Sequence, residues 1–319
     1  MKKSIWKYSL TGLVAIVSCS SSAKQDNRED GFGGHIGVFV AYQSSTSNFN
    51  TENTVTTGDP EASQQVFAGP PVELHYNWDQ QQVYLSLFNS NELIQLGYQT
   101  KIGDSSAGLN YRPSLFGNEA FADPYPLKQV RDTTDTKAHS FDLWGKNILG
   151  TPLSLTATYH QFNVENDKAG STLGIQEQQV LKRSADSLTL ASGIEFPVSL
   201  ANKIFASVEL SFEQYRADGD AETFDGKGAS VGLFKPLDNQ FVMLKFGYQT
   251  NEFKTLHPIF GKTRDDDIVD ASFIYTLDSP FGWHDTSLAV NASYSDNMSN
   301  IDFFEQQNLT VGTGIIYHF

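Results

Sequence analysis

Ten charged residues occupy alternate positions of extended segments, and they are the groups best placed for chemistry: Glu73, Lys101, Arg112, Asp142, Lys146, Glu195, Glu209, Glu213, Lys245 and Asp270. Successive side chains of a strand point to opposite faces. These six acids and four bases therefore share the face opposite the apolar residues of their segments. Inside a barrel they would line a polar, mildly cation-favouring passage. The other reading is an inner wall braced by ion pairs that leave no continuous path, because buried charges need partners. His35, His75 and His160 lie in the same register, and Phe39, Trp144, Phe205 and Phe241 also point inward, where they would narrow a bore.

Signals for catalysis are weak. The seven histidines are scattered, with no His-Glu-x-x-His and no Gly-x-Ser-x-Gly. Only His257 stands where a catalytic group at a barrel rim would be, and a loop histidine is more often polar surface. No enzyme activity, cofactor or resident metal is expected. Two acidic stretches are candidates for loose divalent-cation contacts that would bridge lipopolysaccharide phosphates. One is RADGDAETFDG, with Asp218, Asp220, Glu222 and Asp225; the other is TRDDD, Thr263 to Asp267. Solvated charge is the better account of both. Gly226, Gly228 and Gly232 share one strand, where they let the wall bend or another group approach.

The elements that must carry these residues alternate apolar and polar in stretches of roughly ten residues, the pattern of a transmembrane β-barrel. Strands are predicted near 34–44, 72–78, 82–88, 92–101, 105–116, 138–147, 152–165, 185–197, 202–217, 223–235, 240–253, 266–278, 285–297 and 307–319. That is an all-β antiparallel barrel of fourteen strands, or twelve without the short pair at 72–78 and 82–88. Connections alternate between short turns, such as PLDN at 236–239, and longer polar loops at 45–71, 117–137, 166–184, 254–265 and 298–306. Periplasmic turns and extracellular loops produce that alternation. The short link at 89–91 departs from it.

Aromatic residues sort by strand direction. Tyr42, Tyr111, Tyr159, Tyr248 and Tyr294 fall at one end of the lipid-facing register. Trp78, Tyr98, Phe196, Tyr275, Tyr317 and Phe319 fall at the other. Two girdles at the two membrane interfaces explain this; the core of a soluble sandwich does not.

The ends of the chain set its destination. Lys2, Lys3 and Lys7 precede the short apolar run Leu10 to Val17 and the small residues Ser21-Ser22-Ala23, which reads as a signal peptide over 1–23 followed by a barrel over 24–319. Ile16-Val17-Ser18-Cys19 also looks like a lipobox, and Cys19 is the only cysteine, so no internal disulfide forms. Removing residues 1–23 leaves 19 basic residues against 37 acidic ones, a balance that speaks against nucleic acid as a partner. Mean hydropathy is −0.34, and no long apolar run follows the leader, which excludes a helical membrane protein. The chain ends on NLTVGTGIIYHF. There Val311, Ile315, Tyr317 and Phe319 share one face and resemble the signal by which the bacterial barrel-assembly machinery recognises its clients.

Three stretches resemble the bacterial family catalogued as domain of unknown function 2860. They are GFGGHIGVFVAYQSSTSN (Gly31 to Asn48), HPIFGKTRDDD (His257 to Asp267) and SNIDFFEQQNLTVGTGIIYHF (Ser299 to Phe319). The resemblance implies an outer-membrane barrel, with lipid and lipopolysaccharide around it, and no particular activity. The function expected from the residues is a narrow pore for passive passage of small polar solutes or ions. The alternative is a closed structural or surface-interaction barrel that acts through its outer loops, with a hydrolase third.

Overall fold

The computed structural model describes residues 30–87, 94–114 and 118–319; the leader read at 1–23, with Cys19, lies outside the described residues. Sixteen strand segments form one sheet: β1 (Gly31–Ser47), β2 (Ala62–Gly69), β3 (Val72–Trp78), β4 (Gln81–Leu87), β5 (Ile94–Ile102), β6 (Ser105–Pro113), β7 (Asn118–Phe121), β8 (Thr133–Lys146), β9 (Leu153–Val164), β10 (Ala185–Ser199), β11 (Ile204–Ala217), β12 (Phe224–Pro236), β13 (Gln240–His257), β14 (Lys262–Asp278), β15 (Thr286–Ser299) and β16 (Gln306–His318). One short helix, α1 (Ile175–Gln179), lies between β9 and β10.

The wall is a closed antiparallel barrel of fourteen strands. Two of them are broken in two: β2 and β3 both pair with β1, and β6 and β7 both pair with β8. The first break falls at Pro70-Pro71 and the second just after Pro113, as expected of a residue with no N–H for the ladder. Closure comes from β16, which pairs with β1 from His35↔His318 to Ser47↔Gln306. The last residue is tied in as well: the Gly34 N–H donates to the Phe319 carbonyl at 2.9 Å, and the Phe319 N–H to Gly34 at 3.0 Å. An unpaired edge in lipid would cost several kcal/mol per polar group, and this register leaves none along the seam.

Outward positions form the apolar band: Val38, Leu190, Leu210, Val231, Phe246 and Ile315 are all exposed. Tyr42, Tyr159, Tyr248 and Tyr294 share that outer surface at one end, and Phe196, Tyr317 and Phe319 at the other. Many inward positions are polar or small; Asn291, Ser293, Ser295 and Thr310 are buried there.

Several loop expectations are corrected. The stretch 45–71 holds β2, and 117–137 holds β7 and the start of β8. The loop read at 254–265 shrinks to 258–261, because β13 and β14 run on to His257 and from Lys262. These additions extend the wall beyond the apolar band, where no lipid demands alternating apolar residues. The short pair kept in doubt at 72–78 and 82–88 is present as β3 and β4.

Candidate functional site

The charged inner register folds into polar chains that run along the wall. Arg112 on β6 meets Asp142 on β8 at 2.6 Å, and Thr158 of β9 donates to the same oxygen at 2.9 Å. Asn110 also donates to Asp142, while its own oxygen accepts from the Tyr84 hydroxyl at 2.6 Å. Gln95 completes this chain by donating to that hydroxyl at 3.0 Å. It spans β4 to β9.

A second chain joins β11 to β13. Lys245 Nζ lies 3.3 Å from Glu209 Oε1, and Gln249 Nε2 donates to Glu213 Oε2 at 3.3 Å and to Asn251 at 2.8 Å. The intervening strand, β12, makes these contacts possible. A Cβ on Gly226 would come within 2.7 Å of Asn251 Oδ1 and 3.2 Å of Gln249 Nε2. That glycine clears a path over which side chains two strands apart can meet. Of the two uses expected for β12 glycines, close approach is the one realised at Gly226.

The remaining residues of the inner register take separate positions. Glu73 accepts from Ser86 at 3.0 Å and lies 3.4 Å from His75. Asp270 faces inward on β14 opposite Ser295. Lys101, Lys146 and Glu195 are exposed near the ends of β5, β8 and β10, at the end of the barrel where β1 begins and β16 finishes. Bulk narrows the bore between them. Phe39 packs over Gly312 and Gly314, Trp144 over Gly108, and Phe234 stacks on Phe205 at a centroid distance of 5.5 Å and meets Phe241 tilted at 6.4 Å.

The far end is roofed. Phe49, Tyr125, Leu181, Ala221, Phe260, Ile301, Phe303 and Phe304 pack into the largest apolar cluster of the described residues. They come from six connections rooted all round the rim: β1–β2, β7–β8, β9–β10, β11–β12, β13–β14 and β15–β16. Loops anchored on every side can meet only over the bore. Polar groups stitch the rim of this cap. Arg131, only 3% exposed, donates to the carbonyls of Asn48, Asn53 and Pro124 at 2.7, 2.6 and 3.0 Å and stacks on the Phe121 ring at 3.7 Å. Burial lowers its pKa to about 10. Arg183 pairs with Asp167 at 2.7 Å.

His257 is corrected from polar loop surface to cap core: it is 0% exposed, between Tyr125, Phe260 and Phe304. Its Nε2 lies 3.1 Å from the Tyr125 hydroxyl, which donates to Glu222 at 2.8 Å. Burial, with the nearby Arg264 cation, lowers the His257 pKa to about 3. Burial raises that of Glu222 against the opposing pull of Arg264. The acids of 218–225 diverge rather than converge. Glu222 enters the cap, whereas Asp225 pairs with Arg216 and Lys254. In the second acidic stretch Asp266 pairs with Arg264, and Asp267 accepts from the Tyr248 hydroxyl. Among the described residues no three His, Cys, Asp or Glu side chains are grouped to hold a metal ion.

Comparison with known proteins adds family and fold. The family model described as "Protein of unknown function (DUF2860)" matches residues 31–318. No curated protein matches the chain. Among solved structures, the chain is similar to a TodX deltaS2S3 mutant monoaromatic hydrocarbon channel at 10% identity and a TM-score of 0.50, over 97% of this chain and 94% of that one. It is also similar to the CymD monoaromatic hydrocarbon channel, at 8% identity and a TM-score of 0.49 over 96% and 92% of the two chains. An anion-selective porin from Comamonas acidovorans matches at 11% identity and a TM-score of 0.40 over 91% and 99%. At such identities the likeness is one of fold.

Proposed function

The chain belongs to the DUF2860 family, and we propose that it is an outer-membrane channel that passes small polar solutes or ions through a narrow, polar-lined bore. One observation carries this reading. The ion pairs and hydrogen bonds of the inner register join strands that are neighbours or next-neighbours in the wall, as Arg112–Asp142 and Lys245–Glu209 do. Bonds along the wall hold charges in place without bridging the bore. With Asp142 and Glu209 paired, Glu73, Glu195, Glu213 and Asp270 leave the lining acidic, which favours cations. The apolar band and its two aromatic girdles support placement in the outer membrane, with the chain ends periplasmic and the cap outside. Lipid and lipopolysaccharide are then its surroundings, and the barrel-assembly machinery its first partner, through Val311, Ile315, Tyr317 and Phe319.

No chemistry is assigned to the protein. The rival reading, a closed barrel that acts through its outer surface, draws support from the cap, whose packed core presents a fixed face. Reversal potentials in a salt gradient separate the two. Glu209→Gln with Glu213→Gln should move the channel toward weaker cation selectivity without loss of conductance. Well-folded protein that conducts nothing would favour the surface reading.

A further inference from the structure

Beside the polar chain that spans β4 to β9, two aromatic rings lie along the inner wall. Four inward positions of β5 and β6 form a square there. Gly97 pairs with Asn110 and Gln99 with Gly108, so glycines hold one diagonal and amides the other. A ring covers each glycine. Tyr84 leans in from β4, where it pairs with Gly97, and Trp144 leans in from β8, where it pairs with Gly108. A Cβ on Gly108 would stand 2.5 Å from the Trp144 ring, and one on Gly97 would collide with the Tyr84 ring. Only glycine lets a ring lie so close to the wall. Both rings are half-buried, with one side on the wall and the other turned to the lumen.

Polar groups hold the other diagonal and its border. Asn110 accepts from the Tyr84 hydroxyl at 2.6 Å and donates to Asp142 at 3.4 Å, and Gln99 donates to Gln82. These bonds fix both amides and leave them spare capacity, since a side-chain amide offers two N–H groups and two oxygen lone pairs. Asp142 is paired with Arg112 at 2.6 Å. One strand spacing across and two residues along, the two ring seats are about 8 Å apart. Several occupants fit only part of this surface. A hydrocarbon would suit the rings and leave the spare amide groups unpaired. A cation would meet Arg112 beside Asp142, and an anion would meet Asp142 beside Arg112. A neutral sugar uses everything present. Its faintly positive C–H faces lie on the negative ring faces, and its hydroxyls, each a donor and an acceptor, reach sideways to the amides.

We propose that Tyr84, Trp144, Asn110 and Gln99 form a station in the lumen wall that binds neutral sugars, short oligosaccharides above all. The station rests on the channel reading for how a sugar reaches the lumen, but its binding is measured without conductance. The probe is maltotriose, titrated calorimetrically into the full chain folded in a detergent that carries no sugar. Binding should saturate, with affinity about tenfold lower in Trp144→Ala and in Tyr84→Ala. It should stay close to the parental value in Trp144→Phe, which keeps a ring over Gly108. In planar bilayers maltotriose should block the parent current over the same concentration range, and block the alanine variants about tenfold less well. No binding to heat-modifiable parent protein, or equal affinity in the parent and both alanine variants, would overturn the station. Tighter binding of toluene or arginine than of maltotriose would overturn the sugar as its ligand. Maltotriose binding to a parent chain that never conducts would overturn the channel reading and leave the station standing.

Discussion

Removing one ring from the cap should loosen the roof and spare the barrel. Phe304 is 1% exposed and meets five rings, those of Phe49, Tyr125, His257, Phe260 and Phe303, at centroid distances of 5.4 to 6.4 Å. Arg264 also lies 3.9 Å over its face. Truncating a buried phenylalanine to alanine costs about 3–5 kcal/mol. That raises the population of opened cap by roughly two to three and a half orders of magnitude, at about 1.4 kcal/mol per tenfold. Two assays read it. Trypsin should cut Phe304→Ala at Lys182, Lys254 or Lys262, while the heat-modifiable barrel migrates unchanged. Current traces should become noisier, with larger open levels, because an axial route now opens intermittently. A variant as protease-resistant and as quiet as the parent would mean that the cluster does not hold the loops over the bore.

Other consequences follow from the same geometry. The cap should weaken in mild acid: His257 titrates near 3 when folded, against an ordinary 6.5, so stability present above 6.5 is lost as pH falls toward 3. The loss is about 1.4 kcal/mol at pH 5.5; protease sensitivity should follow that window in the parent and not in His257→Phe. Glu222, raised by burial, acts in the opposite sense, so the same titration in a Glu222→Gln background isolates the histidine. Deleting Phe319 removes two backbone bonds to Gly34, about 1 kcal/mol each, and leaves the seam from Ile36↔Tyr317 upward intact. The deletion should lower the amount assembled in cells several-fold while refolding in detergent is almost unchanged; equal loss in both would assign Phe319 to stability alone.

The parts of this fold that lipid dictates can be read directly from the chain. A spanning strand must be apolar at every second residue, so 202–217, 240–253 and 307–319 announce themselves, and the aromatics at their ends mark the two interfaces. Above the membrane that demand disappears. β2 reads ASQQVFAG and β7 reads NEAF; neither alternates, and both were hidden in stretches that look like loops. The cap is invisible for a related reason: its core comes from six segments with no shared period, and only their three-dimensional meeting makes it a core. A trace of it is present. Phe303-Phe304 and Ile259-Phe260 are too apolar for loops in water, and rings in such places signal packing. The inner charges were legible as a register, but their pairings were not, because Glu209 and Lys245 meet across an intervening strand only where β12 carries small residues.

Single-channel recording of the purified, heat-modifiable protein in planar bilayers decides the account. A capped barrel with a polar, acidic-lined bore should give discrete, small conductance steps with a salt-dependent preference for cations. Silence from protein that is demonstrably folded would contradict it and turn the barrel into a scaffold for the surface of its cap.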